Sequence, residues 1–236
     1  MEIKQGQLFQ LGPHRLVCGS SENPAHLEAL FGKERSDIMI TDPPYNVGYS
    51  AKAGTIVNDL LPARRYLKMI GDAFDAAFDY CKPGAPAYVF YPAKGDLNFY
   101  SICESSGWKV RQALVWVKNH FALSRSNYHW KHEGVLYSNR LGGNPPWYSD
   151  RKQTSVLNFP KQLKNPLHPT QKPVALISYL LKNSSQEGDL VFDPFAGSGT
   201  CMVACGQMGR AARMIEIDPK YCQVIVERYK KIEGEQ

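Results

Sequence analysis

The chain has 236 residues, 43% of them hydrophobic and 21% charged, and its formal net charge is +6. This is an ordinary soluble composition, long enough to fill one core, and no apolar run approaches the ~20 residues of a membrane span. The N-terminal stretch MEIKQGQLFQLG lacks the charged start and apolar core of a secretion signal.

Short β-rich runs alternate with helical patterns along the chain. The predicted strands cover residues 15–19, 37–41, 86–91, 112–118, 133–138, 189–193 and 211–217. The predicted helices cover residues 24–31, 62–81, 95–106, 173–184, 199–208 and 219–232. This alternation predicts an α/β fold, a mostly parallel twisted sheet with helices on both faces, in a single domain over residues 1–236. Such sheets bind ligands at the carboxyl ends of their strands.

The cysteines favour a cytoplasmic protein. Six are scattered along the chain without a CxxC pair. Cys201 and Cys205 lie one helical turn apart, but no other Cys/His pair has the spacing of metal ligands, so we expect no metal site. Reduced, buried thiols are typical of the cytoplasm.

The motif TDPPY, residues 41–45, directly follows the apolar run DIMI. Prolines cannot donate backbone hydrogen bonds, so Pro43 and Pro44 should end the predicted strand. The result is a rigid loop at a strand end that holds the Asp42 carboxylate beside the Tyr45 ring. Taken alone, the same residues also fit a plain turn in which Asp and Tyr only cap and pack.

Positive charge is concentrated between Lys118 and Lys172. This segment holds nine Lys/Arg and two acidic residues, so its net charge is +7 and the rest of the chain carries −1. Aromatic residues are interleaved with the basic ones, which suits a polyanion with stackable bases. The plainer alternative is a solvated, lysine-rich surface. Within the segment, residues 139–170 lack a clear period, as in a long functional loop.

A second motif, DLVFDPFAGSGT, spans residues 189–200. Gly197 and Gly199 stand at its strand-to-helix turn, where a ligand can approach the backbone closely. Glu216 ends the next predicted strand, where an acid can hydrogen-bond ribose hydroxyls. Because the GxGxxG and P-loop patterns are both incomplete, the motif predicts an adenosine-containing cofactor without a phosphate chain.

Together these motifs resemble the S-adenosylmethionine-dependent DNA amino-methyltransferases of the permuted β group, in which [DNS]PP[YFW] precedes FxGxG. Residues 42–45 and 195–199 match in that order, and HPTQKP at 168–173 matches the segment that opens the first helix of the cofactor half. LVWVKN (114–119) and YHWKHEGVLY (128–137) also look like family sequence, especially that of small phage and prophage enzymes. The resemblance covers about residues 12–232 and implies a Rossmann-like methyltransferase fold with circularly permuted motif order.

The resemblance implies methyl transfer from S-adenosylmethionine to N6 of adenine in double-stranded DNA, with the base flipped out of the duplex. Asp42 and the Pro43 carbonyl would accept hydrogen bonds from the amine, Pro44 would help to fix them, Tyr45 would stack on the base, and Asn46 would line the same pocket. The residues assigned to the cofactor are Ser20, Thr170, Lys172, Asp193, Phe195, Gly197, Ser198, Gly199, Thr200 and Glu216.

The target-recognition region implied by the resemblance is the basic segment, read as an insertion at residues 119–165. Its shortness predicts a brief recognition sequence or loose specificity. Relatives are often dimers, so a homodimer follows by analogy. The chain has no nuclease motif, so it is a stand-alone enzyme or half of a restriction pair. The candidate DNA contacts are Asn46, Arg125, Lys131, Arg140, Arg151 and Lys152.

Three alternatives stay open. N4 of cytosine is a similarly delocalised amine, although Asp at the first motif position favours adenine within the family. An RNA substrate uses the same amine chemistry, and a DNA-binding relative that has lost catalysis also fits. Methylation at C5 of cytosine is excluded, because it needs a cysteine that typically follows proline and the chain has no Pro-Cys. The glutamine-modifying relatives carry NPPY and the reverse motif order.

Three positions need separate interpretation. Many relatives carry Gly-Asp after the first strand, whereas Ser20 follows Gly19 here, so we expect a neutral partner for the cofactor adenine and weaker affinity. Lys172, next to Pro173, fits a helix start as well as a contact to the methionine carboxylate. We interpret His132-Glu133 as a packed core pair rather than as site residues.

Overall fold

The computed structural model describes residues 2–46, 50–51, 54–55, 57, 59–92, 99–123, 127–161 and 171–234. The strands in these ranges are β1 (Leu8–Leu11), β2 (His14–Cys18), β3 (Ile38–Thr41), β4 (Ser50–Ala51), β5 (Gly54–Thr55), β6 (Pro86–Tyr91), β7 (Trp108–Ala122), β8 (Trp130–Arg140), β9 (Val156–Asn158), β10 (Leu190–Asp193) and β11 (Ala211–Glu216). The helices are α1 (Pro24–Phe31), α2 (Ala63–Tyr80), α3 (Phe99–Ser105), α4 (Val174–Ser184), α5 (Thr200–Gln207) and α6 (Pro219–Gly234). None of these helices is both long and apolar enough to cross a membrane.

Nine strands form one sheet in the order β1-β2-β11-β10-β3-β6-β8-β7-β9. The five strands from β2 to β6 in this order run parallel to one another. β1 pairs antiparallel with β2, β8 pairs antiparallel with both β6 and β7, and β9 runs parallel to β7. The mostly parallel α/β sheet predicted from the sequence is confirmed.

Side-chain alternation along the strands builds a core on each face of the sheet. Ile38 and Ile40 of β3 pack in the core that holds α4, α5 and α6. Met39, between them, packs in the core that holds α1, α2 and α3. Because both faces are covered by helices, β3 reads as a continuous apolar run rather than as an alternating one.

The winding of the chain reverses between β3 and β10. From β3 the chain passes through α2 to β6 on one side, and from β10 it passes through α5 to β11 on the other side. A crevice opens at the carboxyl ends of the strands at such a switch point. Asp42 directly follows β3 and Asp193 ends β10, so two carboxylates meet at this crevice.

The largest departures from the predicted elements are at the sheet edge. The pattern predicts a strand at 112–118, but β7 spans 15 residues and is irregular between Val110 and Gln112. This irregularity breaks the alternation on which the prediction depends. The short strands β1 and β9 were not predicted, because their pairing is dictated by β2 and β7 rather than by a pattern of their own.

The described residues of the basic segment 119–165 are joined to the main sheet. β8 lies inside the main sheet between β6 and β7, and β9 pairs with the outer edge of β7. Val135 and Leu136 of β8 are buried, one in each core. The described part of the segment therefore contributes scaffold to the sheet through the end of β7, through β8 and through β9.

Candidate active site

A cavity of about 320 Å³ opens at the carboxyl ends of β3, β10 and β11. It lies at the switch point of the sheet, where this fold places its ligands. Lys118, Glu133 and Lys161 line it although the sequence interpretation did not include them. The predicted residues that line it are Ser20, Asp42, Pro43, Pro44, Tyr45, Lys172, Asp193, Phe195, Gly197, Ser198, Thr200 and Glu216.

Hydrogen bonds clamp the loop that follows β3. The Tyr66 hydroxyl of α2 donates to the Pro44 carbonyl at 2.5 Å. The Asn46 side chain donates to the Leu61 carbonyl at 2.9 Å and accepts from the Leu61 amide at 2.6 Å. Asn46 has a φ of 54°, a left-handed conformation that asparagine tolerates. The Asn46 amide is thus engaged in holding the loop, and its expected DNA contact stays a prediction.

The two carboxylate oxygens of Asp42 have different surroundings. Oδ2 accepts a hydrogen bond from Lys172 Nζ. Oδ1 is enclosed and has no hydrogen-bond partner among the described residues. Burial raises the pKa of Asp42, the Lys172 ammonium opposes this effect and the Glu133 carboxylate adds to it. Because a buried acceptor without a donor is costly, Oδ1 stands out as an acceptor left open in the cavity.

Glu133 belongs to this site, which corrects its interpretation as a core residue. Its Oε1 lies 2.6 Å from Lys118 Nζ, and its Oε2 lies 3.1 Å from Lys172 Nζ. The Tyr45 hydroxyl also donates to Oε2 at 3.1 Å. Burial alone would raise the pKa of Glu133, but Lys172 and Lys118 outweigh it and lower the pKa to about 2. An acid within the apolar strand pattern of β8 was the signal that could have revealed it.

Lys172 lies on the Asp42 side of the cavity, and its assignment to the cofactor stays a prediction. Its side chain is 5% exposed and bonds Asp42 and Glu133. Its Nζ also lies 5.3 Å from the centroid of the Tyr45 ring and 5.1 Å from that of Phe90. Burial lowers the pKa of Lys172, but the two carboxylates outweigh that effect and raise it. The ammonium therefore stays charged inside the protein.

The glycine turn and Glu216 form the opposite wall. Gly197 and Gly199 have φ values of 52° and 78°, and a Cβ on Gly199 would meet Ile225 at 2.9 Å, so glycine is required there. Glu216 Oε2 accepts from the Gly197 amide at 2.7 Å and its Oε1 accepts from the Asp218 amide at 2.8 Å. Glu216 thus ties the turn to the end of β11.

Two carboxyl groups of this wall titrate near neutrality. Burial raises the pKa of Asp193 to about 7 and that of Glu216 to about 8, against the opposing effect of the backbone amides that they accept from. For Asp193 that amide belongs to Phe195, at 3.2 Å. Perturbed carboxyl groups in a cleft are typical of functional sites.

We expect Asp193→Asn to stabilise the ligand-free protein at pH 8 but not at pH 4. The folded-state pKa of Asp193, about 7, lies above its ordinary value of 3.8, so the native state binds the extra proton and stability falls as pH rises between these values. The isosteric amide removes that loss, which we put at about 2 kcal/mol, or roughly 4–8 °C in Tm. Calorimetry at both pH values measures the difference, with the exposed Asp75→Asn as control. An equal change at pH 4 and pH 8 would rule out the titration.

Ser20 lies at the rim of the cavity, at the end of β2. Its hydroxyl donates to Glu22 at 3.2 Å, and its amide donates to His26 Nδ1 at 3.0 Å. The Glu22 carboxylate therefore accepts from the neutral Ser20 hydroxyl, which stands at the position of the acid in the family pattern described above.

The structure separates the predicted DNA contacts into two groups. Lys131 is exposed at the start of β8, beside the cavity. Arg140, at the other end of β8, donates to the Phe78 carbonyl at 2.7 Å, and its guanidinium lies 4.0 Å from the Phe78 ring centroid. Because β8 is antiparallel to β6, its end lies at the sheet edge opposite the cavity. The DNA contact of Arg140 stays a prediction.

Arg151 and Lys152 also lie away from the cavity. They precede β9, which runs parallel to β7 and pairs Val156 with Val115, so they lie toward the amino-terminal edge of the sheet. The DNA contacts of Arg151 and Lys152 stay predictions. Arg125 and Thr170 lie outside the described residues.

Comparison with known families agrees with this geometry. A family model described as DNA methylase (N6_N4_Mtase) matches residues 36–227. The chain belongs to this DNA methylase family. The Type II methyltransferase M.HpaI of Haemophilus parainfluenzae is 28% identical over 242 residues, a match that covers 91% of this methylase and 73% of the relative.

Two solved structures share the fold of this methylase. TTHA0409 of Thermus thermophilus, in complex with S-adenosyl-L-methionine, superposes with a TM-score of 0.64 at 21% identity and covers 92% of this chain and 93% of its own. The cytosine-N4-specific PvuII DNA methyltransferase superposes with a TM-score of 0.69 at 15% identity and covers 93% and 90%. The Rossmann-like methyltransferase fold is thereby confirmed.

Proposed function

We propose that this protein transfers a methyl group from S-adenosylmethionine to N6 of adenine in DNA. The observation that carries the proposal is Asp42 Oδ1, an enclosed acceptor without a partner among the described residues. It lies in the same cavity as the glycine turn. One pocket thus offers an acceptor for an amine donor and a glycine turn for a nucleoside cofactor. The order of the two motifs supports membership of the permuted β group.

The cofactor side of the cavity fits an adenosine-containing group. One wall presents the backbone of Gly197 and the Glu216 carboxylate, and Phe195 adds an apolar surface. Ser20, at the rim, offers a hydroxyl toward the adenine. When bound, S-adenosylmethionine supplies an electrophilic methyl group on a sulfonium centre. Glu216 is placed to accept from the ribose hydroxyls.

The base side of the cavity orients the exocyclic amine of the target base. The lone pair of an exocyclic amine is delocalised into the ring, which makes the nitrogen a poor nucleophile. Asp42 Oδ1 and the Pro43 carbonyl each accept one N–H bond and direct the lone pair outward. The Pro44 carbonyl is held by Tyr66, so the acceptors are fixed before the base arrives. Tyr45 provides the ring on which the flipped base stacks.

Methyl transfer to unmethylated duplex DNA, followed by mass spectrometry of the nucleosides, tests the proposal. We expect N6-methyladenine. N4-methylcytosine would keep the mechanism and replace the target, since its amine has the same chemistry. If neither product forms while S-adenosylmethionine still raises the Tm, the protein acts on RNA, requires a partner or binds DNA without catalysis. The homodimer and the cytoplasmic location stay predictions.

We infer that DNA approaches over the surface formed by residues 121–123 and 127–131, where β7 ends and β8 begins. Phe121, Leu123 and Tyr128 are exposed there, and the rings of Phe121 and His129 stack at 4.9 Å. Lys131 adds a positive charge beside them. The carboxyl end of β7 and the start of β8 lie on the cavity side of the sheet, because Lys118 and Glu133 reach into the cavity from these strands. Exposed aromatic and basic side chains suit an unstacked nucleic acid.

We expect Lys131→Ala to weaken duplex DNA binding about 2- to 5-fold near 0.1 M salt and to lower the slope of log K against log salt by about 1. Lys152→Ala is the matched control, since Lys152 lies toward the opposite edge of the sheet. Fluorescence anisotropy with a labelled duplex at several NaCl concentrations measures both. Equal losses in the two variants would contradict this docking surface.

A further inference from the structure

The Glu133 side chain lies in the cavity and holds several polar groups there. Its side chain is 12% exposed and contacts Lys118, Lys172 and Tyr45. Two of these contacts lead to the groups that receive the base: Tyr45 is the stacking ring, and Lys172 bonds Asp42. One carboxylate therefore connects both sides of the base pocket.

The backbone of Glu133 is held in the sheet. β8 lies between β6 and β7, with Glu133 paired to Trp116 and the next residue, Gly134, paired to Tyr91. A Cβ on Gly134 would overlap the Tyr91 ring, so the strand cannot shift easily at this point. Glu133 thus projects from a rigid element, whereas Asp42 and Lys172 come from loops.

We propose, on the basis of the function proposed above, that Glu133 is a positioning residue of the methyl-transfer site. It anchors the Tyr45 hydroxyl and the Lys172 ammonium, so that Lys172 occupies only Oδ2 of Asp42 and Oδ1 stays open for the amine. Glu133 acts through these two neighbours and does not itself contact the base.

The consequence of losing Glu133 follows from charge balance. Lys172 has three N–H donors and two buried carboxylate partners, Asp42 and Glu133. Without the Glu133 charge, the ammonium would be drawn entirely to Asp42 and would compete with the amine for Oδ1. Since Glu133 raises and Lys172 lowers the pKa of Asp42, loss of the Glu133 charge lowers that pKa. The titratable and charged groups that face Asp42 are Tyr45, Tyr66, Glu133, Lys161, Lys172 and Asp193.

The first test compares wild type with Glu133→Gln, which keeps the size of the side chain and one acceptor. We expect kcat for methylation of unmethylated duplex DNA to fall about 10- to 100-fold, as for a small misplacement of reacting groups, with the Kd for S-adenosylmethionine within about twofold. The acid limb of kcat/KM should move to lower pH. Lys172→Met should move the acid limb to higher pH, because the Asp42 carboxylate then loses the Lys172 ammonium that lowers its pKa.

The second test needs no catalysis and keeps the inference separable from the proposed function. Carboxyl ¹³C titration of the cofactor-free protein labelled at aspartate, with Asp42→Asn to assign the signal, reads the pKa of Asp42 directly. We expect a lower value in Glu133→Gln than in wild type and a higher value in Lys172→Met.

The outcomes divide clearly. If Glu133→Gln lowers kcat but moves neither the acid limb of kcat/KM nor the pKa of Asp42, Glu133 has only a packing role and the inference is overturned. A wild-type kcat in Glu133→Gln would also overturn it. If the wild type forms no methylated base, the proposed function is refuted instead. The ¹³C titration would still show whether Glu133 controls the pKa of Asp42. Glu133→Asp keeps the negative charge, so the pKa of Asp42 in this variant should stay raised as it is in the wild type. A lowered pKa of Asp42 in Glu133→Asp would also count against the inference.

Discussion

Replacement of Asp42 by alanine is expected to lower methyl transfer by at least about 10²- to 10³-fold, the range for removal of one preorganised partner of a reacting group. The variant loses the open acceptor Oδ1 and the counter-ion of Lys172 together. Lys172 keeps Glu133 as its partner at 3.1 Å, so the protein should still fold. The loss should lie in kcat, because the cofactor wall on the far side of the cavity is unchanged.

Single-turnover methylation measures this effect without interference from product release, and calorimetric titration with S-adenosylmethionine measures the cofactor side. The exposed Asp75→Ala of α2 is the control for loss of an aspartate. Retention of more than about a tenth of the wild-type rate by Asp42→Ala would refute the role of Oδ1 as the amine acceptor, given the size of such effects.

The second large effect is expected for Glu216→Ala, which should weaken S-adenosylmethionine binding by about 10- to 100-fold. Each lost hydrogen bond contributes about 0.5–1.5 kcal/mol when Glu216 is protonated and about 1.5–3 kcal/mol when it is ionised. The variant removes the carboxylate proposed to bind the ribose. It also releases the Gly197 and Asp218 amides, which Glu216 holds at 2.7 and 2.8 Å. The glycine turn then loses its link to β11.

Calorimetric titration checks this prediction, and Glu227→Ala is the matched control because Glu227 lies on the exposed face of α6. DNA binding by Glu216→Ala should stay close to wild type, since the DNA surface proposed above lies where β7 ends and β8 begins, away from Glu216. A wild-type Kd for S-adenosylmethionine in Glu216→Ala would show that the cofactor binds elsewhere.

Local sequence patterns located most of the fold. The apolar runs of β3, β6 and β10 identified the central strands, because both faces of those strands are buried and every residue in the run is constrained. The prolines after β3 and the glycines after β10 marked two strand ends, since only special backbone conformations fit there. These features are encoded within a few residues, so they can be read without knowledge of the rest of the chain.

The sequence is silent where the contacts of a side chain depend on a distant partner. Lys172 lies 130 positions from Asp42 in the chain, and nothing near either residue specifies that they meet. Arg140 and Lys131 look alike as basic residues of one segment, yet β8 carries them to opposite edges of the sheet. Charge composition counts both residues equally, whereas strand direction separates them.

The sequence by itself therefore determined the fold class, the two motif-bearing loops and the chemistry that their residue types suit. Only the tertiary structure decided which groups complete the site. The antiparallel placement of β8 beside β6 brings Glu133 to the cavity, where it pairs with Lys118 and Lys172. The physical reason is that local patterns encode backbone conformation and burial, whereas buried charges are satisfied by whichever partners the strand order brings within reach.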